Sequence, residues 1–125
     1  MRFTRESRLP DSRSFRRVFK NAERSRDALF TVLSRANDNR AARLGLAISR
    51  KNCRLAARRN RLKRVVRESF RMHKEGLHGL DIVVMSQPGA SSAPNDELFD
   101  SLAVHWQRCR TGATEPGRGG NALNG

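Results

Sequence analysis

One stretch constrains this chain more than any other. The run Arg50 to Arg71 reads RKNCRLAARRNRLKRVVRESFR, and ten of its 22 residues are Lys or Arg against the single acid Glu68. Charge at that density repels itself out of a packed core. Yet Leu55, Leu62, Val65, Val66 and Phe70 recur through it at near-helical spacing. At about 100° per residue, Val65, Ser69, Leu62, Leu55, His73 and Val66 fall within an arc of roughly 100°, and Phe70 extends it by ~40°. Arg54, Asn60, Arg61, Lys63, Arg64, Arg67 and Arg71 fill the opposite half of the wheel. The spacing predicts a helix over about 54–73 with one face in a core and a cationic ridge on the other.

The ridge is not an ordinary solvated face. Such faces mix Glu with Lys, because opposite charges four residues apart stabilise a helix. Here Arg54/Arg58, Lys63/Arg67 and Arg67/Arg71 are like-charged pairs at that spacing. A helix so strained calls for an anionic partner. The whole chain agrees: 26 basic residues against 12 acids give a formal charge of +14 over 125 residues. Arginine dominates, which suits forked contacts to phosphate and stacking on bases. Nucleic acid is the expected partner, with an anionic membrane the weaker alternative. No apolar run reaches the roughly 18 residues that span a bilayer, and MRFTRESRLP lacks the apolar centre of a signal peptide. The expectation is a cytoplasmic protein without membrane contact. Cys53 and Cys109 are isolated thiols with no metal-ligand spacing, expected to be reduced and structural.

The remaining elements follow from local pattern. Asp11 or Ser12 can cap an N-terminal helix over about 12–22, whose stripe is Phe15, Val18, Phe19 and Ala22. A short strand fits near 23–28. Residues 28–34, ALFTVLS, read as a strand, and Asn37, Asp38 and Asn39 as a turn. Residues 43–50, RLGLAISR, alternate: Leu44, Leu46 and Ile48 point one way, and the small Gly45, Ala47 and Ser49 the other. A small-residue face admits either a packed helix or an extended ligand strand. Gly76 and Gly79 are expected to end the basic helix. DIVVMS over 81–86 reads as a central buried strand. Asn95 can cap a last helix with Leu98, Phe99, Leu102, Trp106 and Cys109 along one side. The expected organisation is one domain over 1–110 and a Gly-rich disordered tail over 111–125. The expected fold class is α+β, a two-layer sandwich with a small mixed sheet covered by helices.

No catalytic motif appears. There is no HExxH, P-loop or Ser/His/Asp signature. The acids Asp81, Asp96, Glu97 and Asp100 form no metal cluster by spacing, so no catalytic or metal residue is assigned. His73 and His105 fall on apolar helix faces and read as packed groups. Phe15 and Phe19 read either as core or as an aromatic platform for unpaired nucleotides. On the residues alone, the alternatives are a non-catalytic RNA-binding or ribosomal protein and, more weakly, a DNA-binding regulator.

The run SRKNCRLAARRNRLKRVVRESFR resembles the signature of the protein subunit of bacterial ribonuclease P. Its centre is Arg59-Asn60-Arg61, followed by Leu62-Lys63-Arg64, Arg67 and Phe70. The approach strand Leu44 to Lys51, the set Leu9 with Phe15-Arg16-Arg17-Val18-Phe19-Lys20, and the strand Asp81 to Val84 also resemble that family. The likeness covers about residues 8–110. It implies a protein that assists a catalytic RNA in endonucleolytic removal of the 5′ leader from precursor tRNA. The RNA holds the catalytic Mg²⁺, and no obligate protein partner is implied. By the same resemblance, Arg54, Arg58, Arg59, Asn60, Arg61, Lys63, Arg64, Arg67 and Arg71 face the catalytic RNA. Phe15, Arg16, Phe19, Ser49, Arg50 and Lys51 surround a cleft for the leader. The implied fold is that of ribosomal protein S5 domain 2, with a left-handed β-α-β crossover around the arginine-rich helix. General chain physics would have favoured a right-handed one.

Overall fold

The computed structural model describes Val18, Lys20, residues 22–38 and residues 40–111. Four strands make one sheet: β1 (Glu23–Arg26), β2 (Phe30–Ala36), β3 (Arg43–Ala47) and β4 (Leu80–Ser86). Their spatial order is β1-β2-β4-β3. β2 pairs antiparallel with both β1 and β4, whereas β3 and β4 run parallel. Parallel neighbours need a crossover. Helix α1 (Ala56–His73) supplies it, and α2 (Asn95–Thr111) follows β4. The sheet is mixed and the class α+β, as expected.

Burial on both sheet faces explains the continuous apolar run of β4. On one face Phe30, Val32, Leu44, Ile82 and Val84 meet Leu62, Val65, Val66 and Phe70 of α1 and Leu98, Leu102, Trp106 and Cys109 of α2. On the other, Val18 and Ala22 close over Leu33 and Val83, with Ala47 and Met85 against them. The alternation read in 43–48 is therefore realised. Leu44, Leu46 and Ile48 belong to the larger core, and Ala47 to the smaller. Between the helices, Trp106 stands edge-on to Phe70 with ring centroids 6.0 Å apart. Its indole N–H donates to Ser69 Oγ at 2.8 Å. Ser69 thus serves the apolar face as the acceptor a buried Trp requires.

Several boundaries differ from the sequence expectation, each for a local reason. β2 begins at Phe30, because Asp27 Oδ1 accepts from the N–H groups of Leu29 and Phe30, both at 2.9 Å, and turns Ala28 and Leu29 out of the strand. β3 ends at Ala47, since Ser49 already accepts from Cys53 N through its carbonyl and from Asn52 N through its hydroxyl. Leu55 does not join the apolar arc. It is the N-cap residue, with extended φ −84° and ψ 125°, and is 58% exposed. Helical phase does not apply to a residue outside the helix. At the other end α1 passes into a 3₁₀ turn, Lys74–Leu77, rather than stopping at Gly76. The reversal falls on Gly79, whose φ of 89° suits glycine. Its N–H donates to the Arg40 carbonyl at 2.7 Å and its carbonyl accepts from Asn37 N at 2.9 Å.

Candidate nucleic-acid interface

The two long helices are charged in opposite manners. α2 has Asp96 and Glu97 in its first turn and Arg108 and Arg110 in its last, which complements the helix dipole. α1 has no acid in its first turn, where Arg58 and Arg59 stand instead, and no side chain caps it. It is held by its buried face, Leu62, Val65, Val66, Ser69 and Phe70. Opposite that face Asn60, Arg64, Arg67 and Arg71 share an arc of about 60°, with Lys63 some 40° to one side. Asn60, Arg64 and Arg67 are exposed, and Lys63 and Arg71 half-exposed.

The basic side chains divide by what they touch. Arg61 stands at the edge of the ridge, above the loop that enters α2. Its guanidinium donates to Asn95 Oδ1 at 2.6 Å, the Ser91 carbonyl at 3.1 Å and the Ala93 carbonyl at 3.0 Å. Arg59, at the other edge, donates to the carbonyls of Cys53 and Arg54 at 3.0 and 2.9 Å and so closes the turn into α1. Arg71 pairs with Glu68, with Nε 3.2 Å from Oε1. That hydrogen bond holds the Glu68 carboxyl below its usual range and the Arg71 guanidinium above its own. Among the described residues, no protein group pairs with the cationic ends of Arg54, Arg58, Lys63, Arg64 or Arg67.

Ser49, Arg50 and Lys51 are exposed and come together in the turn between β3 and α1. Asn52 fixes that turn to the sheet, its side-chain amide donating to the Ser86 carbonyl at 2.8 Å. The turn follows the β3 edge that bears Gly45 and Ala47. Phe15, Arg16 and Phe19 lie outside the described residues. Val18 and Ala22 are buried on the sheet beside Ala47 and Met85, so that part of the small-residue face receives protein rather than standing open.

The structure also assembles a cluster that sequence inspection missed. Ser25, Asp27 and His105 meet although up to 80 positions separate them. Ser25 Oγ is hydrogen-bonded to His105 Nδ1 at 2.6 Å and accepts from Arg108 Nη1 at 3.3 Å. His105 Nε2 lies 3.2 Å from Asp27 Oδ2, which also accepts from Ser101 Oγ at 2.6 Å. Composition resembles a hydrolytic triad, but Ser25 is 2% and His105 0% exposed, so no substrate reaches the hydroxyl. The cluster fastens β1 to α2. Burial holds the His105 pKa below the usual imidazole value, only partly opposed by Asp27. Burial also works against the Asp27 charge, but bonds from Ser101, Phe30 N and Leu29 N outweigh it and hold that carboxyl low. Similarly, Asp81 is buried between Arg43, which donates at 2.8 and 2.7 Å, and Asn37, which donates at 3.0 Å.

Among the described residues no three His, Cys, Asp or Glu side chains gather as metal ligands. Cys53 and Cys109 are free and buried, and burial pushes the Cys109 thiol up to about 11. No helix among the described residues is long and apolar enough to cross a membrane.

Fold and ridge together define an α+β protein that presents a strongly cationic helix from a β-α-β unit. The Ribonuclease P family matches residues 3–110. The chain is 43% identical over 114 residues to the ribonuclease P protein component of Thioalkalivibrio sulfidiphilus, covering 91% of this chain and 95% of that one. It is 45% identical over 118 residues to the corresponding protein of Methylococcus capsulatus, covering 91% of each. The solved ribonuclease P protein of Thermotoga maritima superposes with a TM-score of 0.72 at 35% identity, over 81% of this chain and 96% of that one. The chain belongs to the ribonuclease P protein family. Its function is that of the family's protein component in tRNA 5′-end processing, within a ribonuclease whose catalytic part is RNA.

Proposed function

We propose that α1 lies against the catalytic RNA, and that the protein thereby raises substrate affinity and Mg²⁺ occupancy on that RNA. The observation that carries this is the crest of α1: Arg64 and Arg67, which pair with no protein group among the described residues, set against the helix dipole and backed by an apolar face. Arg54, Arg58, Asn60, Lys63, Arg64 and Arg67 meet RNA, with Arg71 sharing its charge with Glu68. Arg59 and Arg61 serve the same surface indirectly, by holding the helix in place.

Ser49, Arg50 and Lys51, with Phe15, Arg16 and Phe19, contact the single-stranded 5′ leader of precursor tRNA. The exposed turn at the β3 edge supports that assignment. Mg²⁺ belongs to the partner RNA, where two-metal hydrolysis needs placed ions and an aligned water. Among the described residues, Asp81 is taken by Arg43 and Asn37, and Asp27 by Ser101 and two backbone N–H groups, so neither of these carboxylates is free to hold a metal. The place of action is the cytoplasm, with RNA and precursor tRNA as partners. A purely ribosomal role is not favoured by the family match.

The test is cleavage of 5′-labelled precursor tRNA at low Mg²⁺, by a bacterial ribonuclease P RNA with and without this protein. Cleavage at the mature 5′ end that depends on both components supports the proposal. Protein that binds the RNA but leaves cleavage unchanged contradicts it. Phe19→Ala, if folded by circular dichroism, should lose discrimination between precursor and mature tRNA. Full discrimination would return Phe19 to a core role.

A further inference from the structure

We propose that the cavity at the C-terminal end of α1 binds one unstacked ribonucleotide of the RNA that lies along the ridge, with its phosphate on Lys74 and Arg110. The inference rests on the RNA-binding reading above. The cavity measures about 620 Å³ and is bounded by the end of α1, the 3₁₀ turn after it, Ala41 and Ala42 before β3, and Arg110 near the end of α2. That volume falls within the range of small-ligand sites. An 18-residue helix is about 27 Å long, and the Ser49–Lys51 turn precedes its other end. The cavity is therefore separate from the surface assigned to the leader. Arg71 joins it to the ridge, since it belongs to the crest and also lines the cavity.

The lining is suited to a nucleotide rather than to a bare anion. Arg71, Lys74 and Arg110 outnumber the one acid, Glu75. Arg110 is seated by design of the backbone beneath it. A Cβ on Gly76 would meet Arg110 Nη1 at 2.8 Å and Cδ at 2.9 Å, so the bare glycine lets the Arg110 side chain rest closely against the turn. Its other guanidinium nitrogen donates to Gln107. A guanidinium held against a wall offers N–H groups to phosphate, and guanidinium planes stack on bases. Met72 is 57% exposed at the same site, beside Ala41 and Ala42. A pliable thioether and the exposed Ala41 methyl provide the apolar contact a base face needs, with buried Ala42 forming the floor. Glu75 supplies an acceptor for a ribose hydroxyl or a base amine.

The test has a direct arm and a functional arm. The full chain is titrated with adenosine 5′-monophosphate and, separately, inorganic phosphate, while the Gly76 amide and Arg110 Nε resonances are followed. Saturable shifts with the nucleotide, lost in Lys74→Ala/Arg110→Ala, are expected. Shifts absent at Gly76, or equal with phosphate alone, overturn the nucleotide site. In the functional arm, Lys74→Ala/Arg110→Ala should weaken binding to the ribonuclease P RNA about tenfold. It should also reduce the log–log salt slope by ~0.7–0.9 for the one phosphate released. Gly76→Leu, which keeps the number of charges but displaces Arg110 and obstructs the cavity, should weaken binding in the same direction. Wild-type affinity and slope in both folded variants overturn the site. Failure of the wild-type protein to bind the RNA overturns the site together with the function it rests on.

Discussion

α1 and α2 are of nearly equal length, 18 and 17 residues, and cover the same face of the sheet. Their charges nevertheless obey different demands. In α2 acids lead and arginines trail, as a helix arranges itself for its own stability. In α1 the arginines run from the first turn to the last and repel one another. The buried face of α1 tolerates this because Leu62, Val66 and Phe70 are fully buried and Trp106 is bonded to Ser69. The two helices of one layer thus differ in whether their charges serve their own stability. It recurs inside α1, where Arg61 and Arg64 are three residues apart and of identical chemistry, yet one turns toward protein carbonyls and the other toward solvent.

The largest expected effect breaks that inner contrast. Arg61→Ala removes three hydrogen bonds from a charged donor and should cost about 2–3 kcal/mol of folding free energy, read from the urea midpoint. The salt slope of RNA binding by the folded fraction should stay the same. A normal midpoint with a shallower slope would make Arg61 an RNA contact. Next, Arg64→Ala/Arg67→Ala should leave the midpoint within ~0.5 kcal/mol and weaken RNA binding roughly thirtyfold, about 2 kcal/mol. A lowered midpoint would place those side chains in the fold.

Glu68→Gln sharpens the comparison by removing the one acid of α1. Freed of its partner, Arg71 should tighten RNA binding a few-fold, by under ~1 kcal/mol. Weaker binding would mean that Glu68 positions Arg71 for its contact. The smallest effect concerns the anchorage of α2. Because burial depresses the folded His105 pKa below the unfolded value of about 6.5, the unfolded chain binds more protons just below that pH. Stability should therefore be full above about pH 6.5 and decline as pH falls toward the folded pKa. Asp27, whose carboxyl is also held low, adds a second loss only below about pH 4. The midpoint of His105→Gln should be flatter between pH 7 and pH 5.5. An equally steep profile would assign the decline to other groups.

Much of this architecture was legible because periodicity reports which way a side chain points. The wheel placed Leu62, Val65, Val66, Ser69 and Phe70 inward, and the alternation in β3 separated Leu44 from Gly45. Periodicity does not report what a side chain at the rim reaches. Arg59, Arg61 and Arg64 look alike in sequence; only the loop around Ala93 and the turn at Cys53 distinguish them. Nor does local pattern foresee Ser25, Asp27 and His105 meeting across 80 positions, because that depends on α2 returning beside the edge strand. Leu55 was misplaced because its residue type fits the helix while its backbone precedes it. The ridge was readable as a cationic face, whereas which of its arginines bond to protein groups needed coordinates.

The most direct measurement is the dependence of log Kd on log salt for the ribonuclease P RNA, compared between the wild-type protein and Arg64→Ala/Arg67→Ala. A slope shallower by ~1.4–1.8, two phosphates at ~0.7–0.9 each, is the predicted result. Equal slopes, with both proteins folded, would contradict the assignment of the α1 crest to RNA.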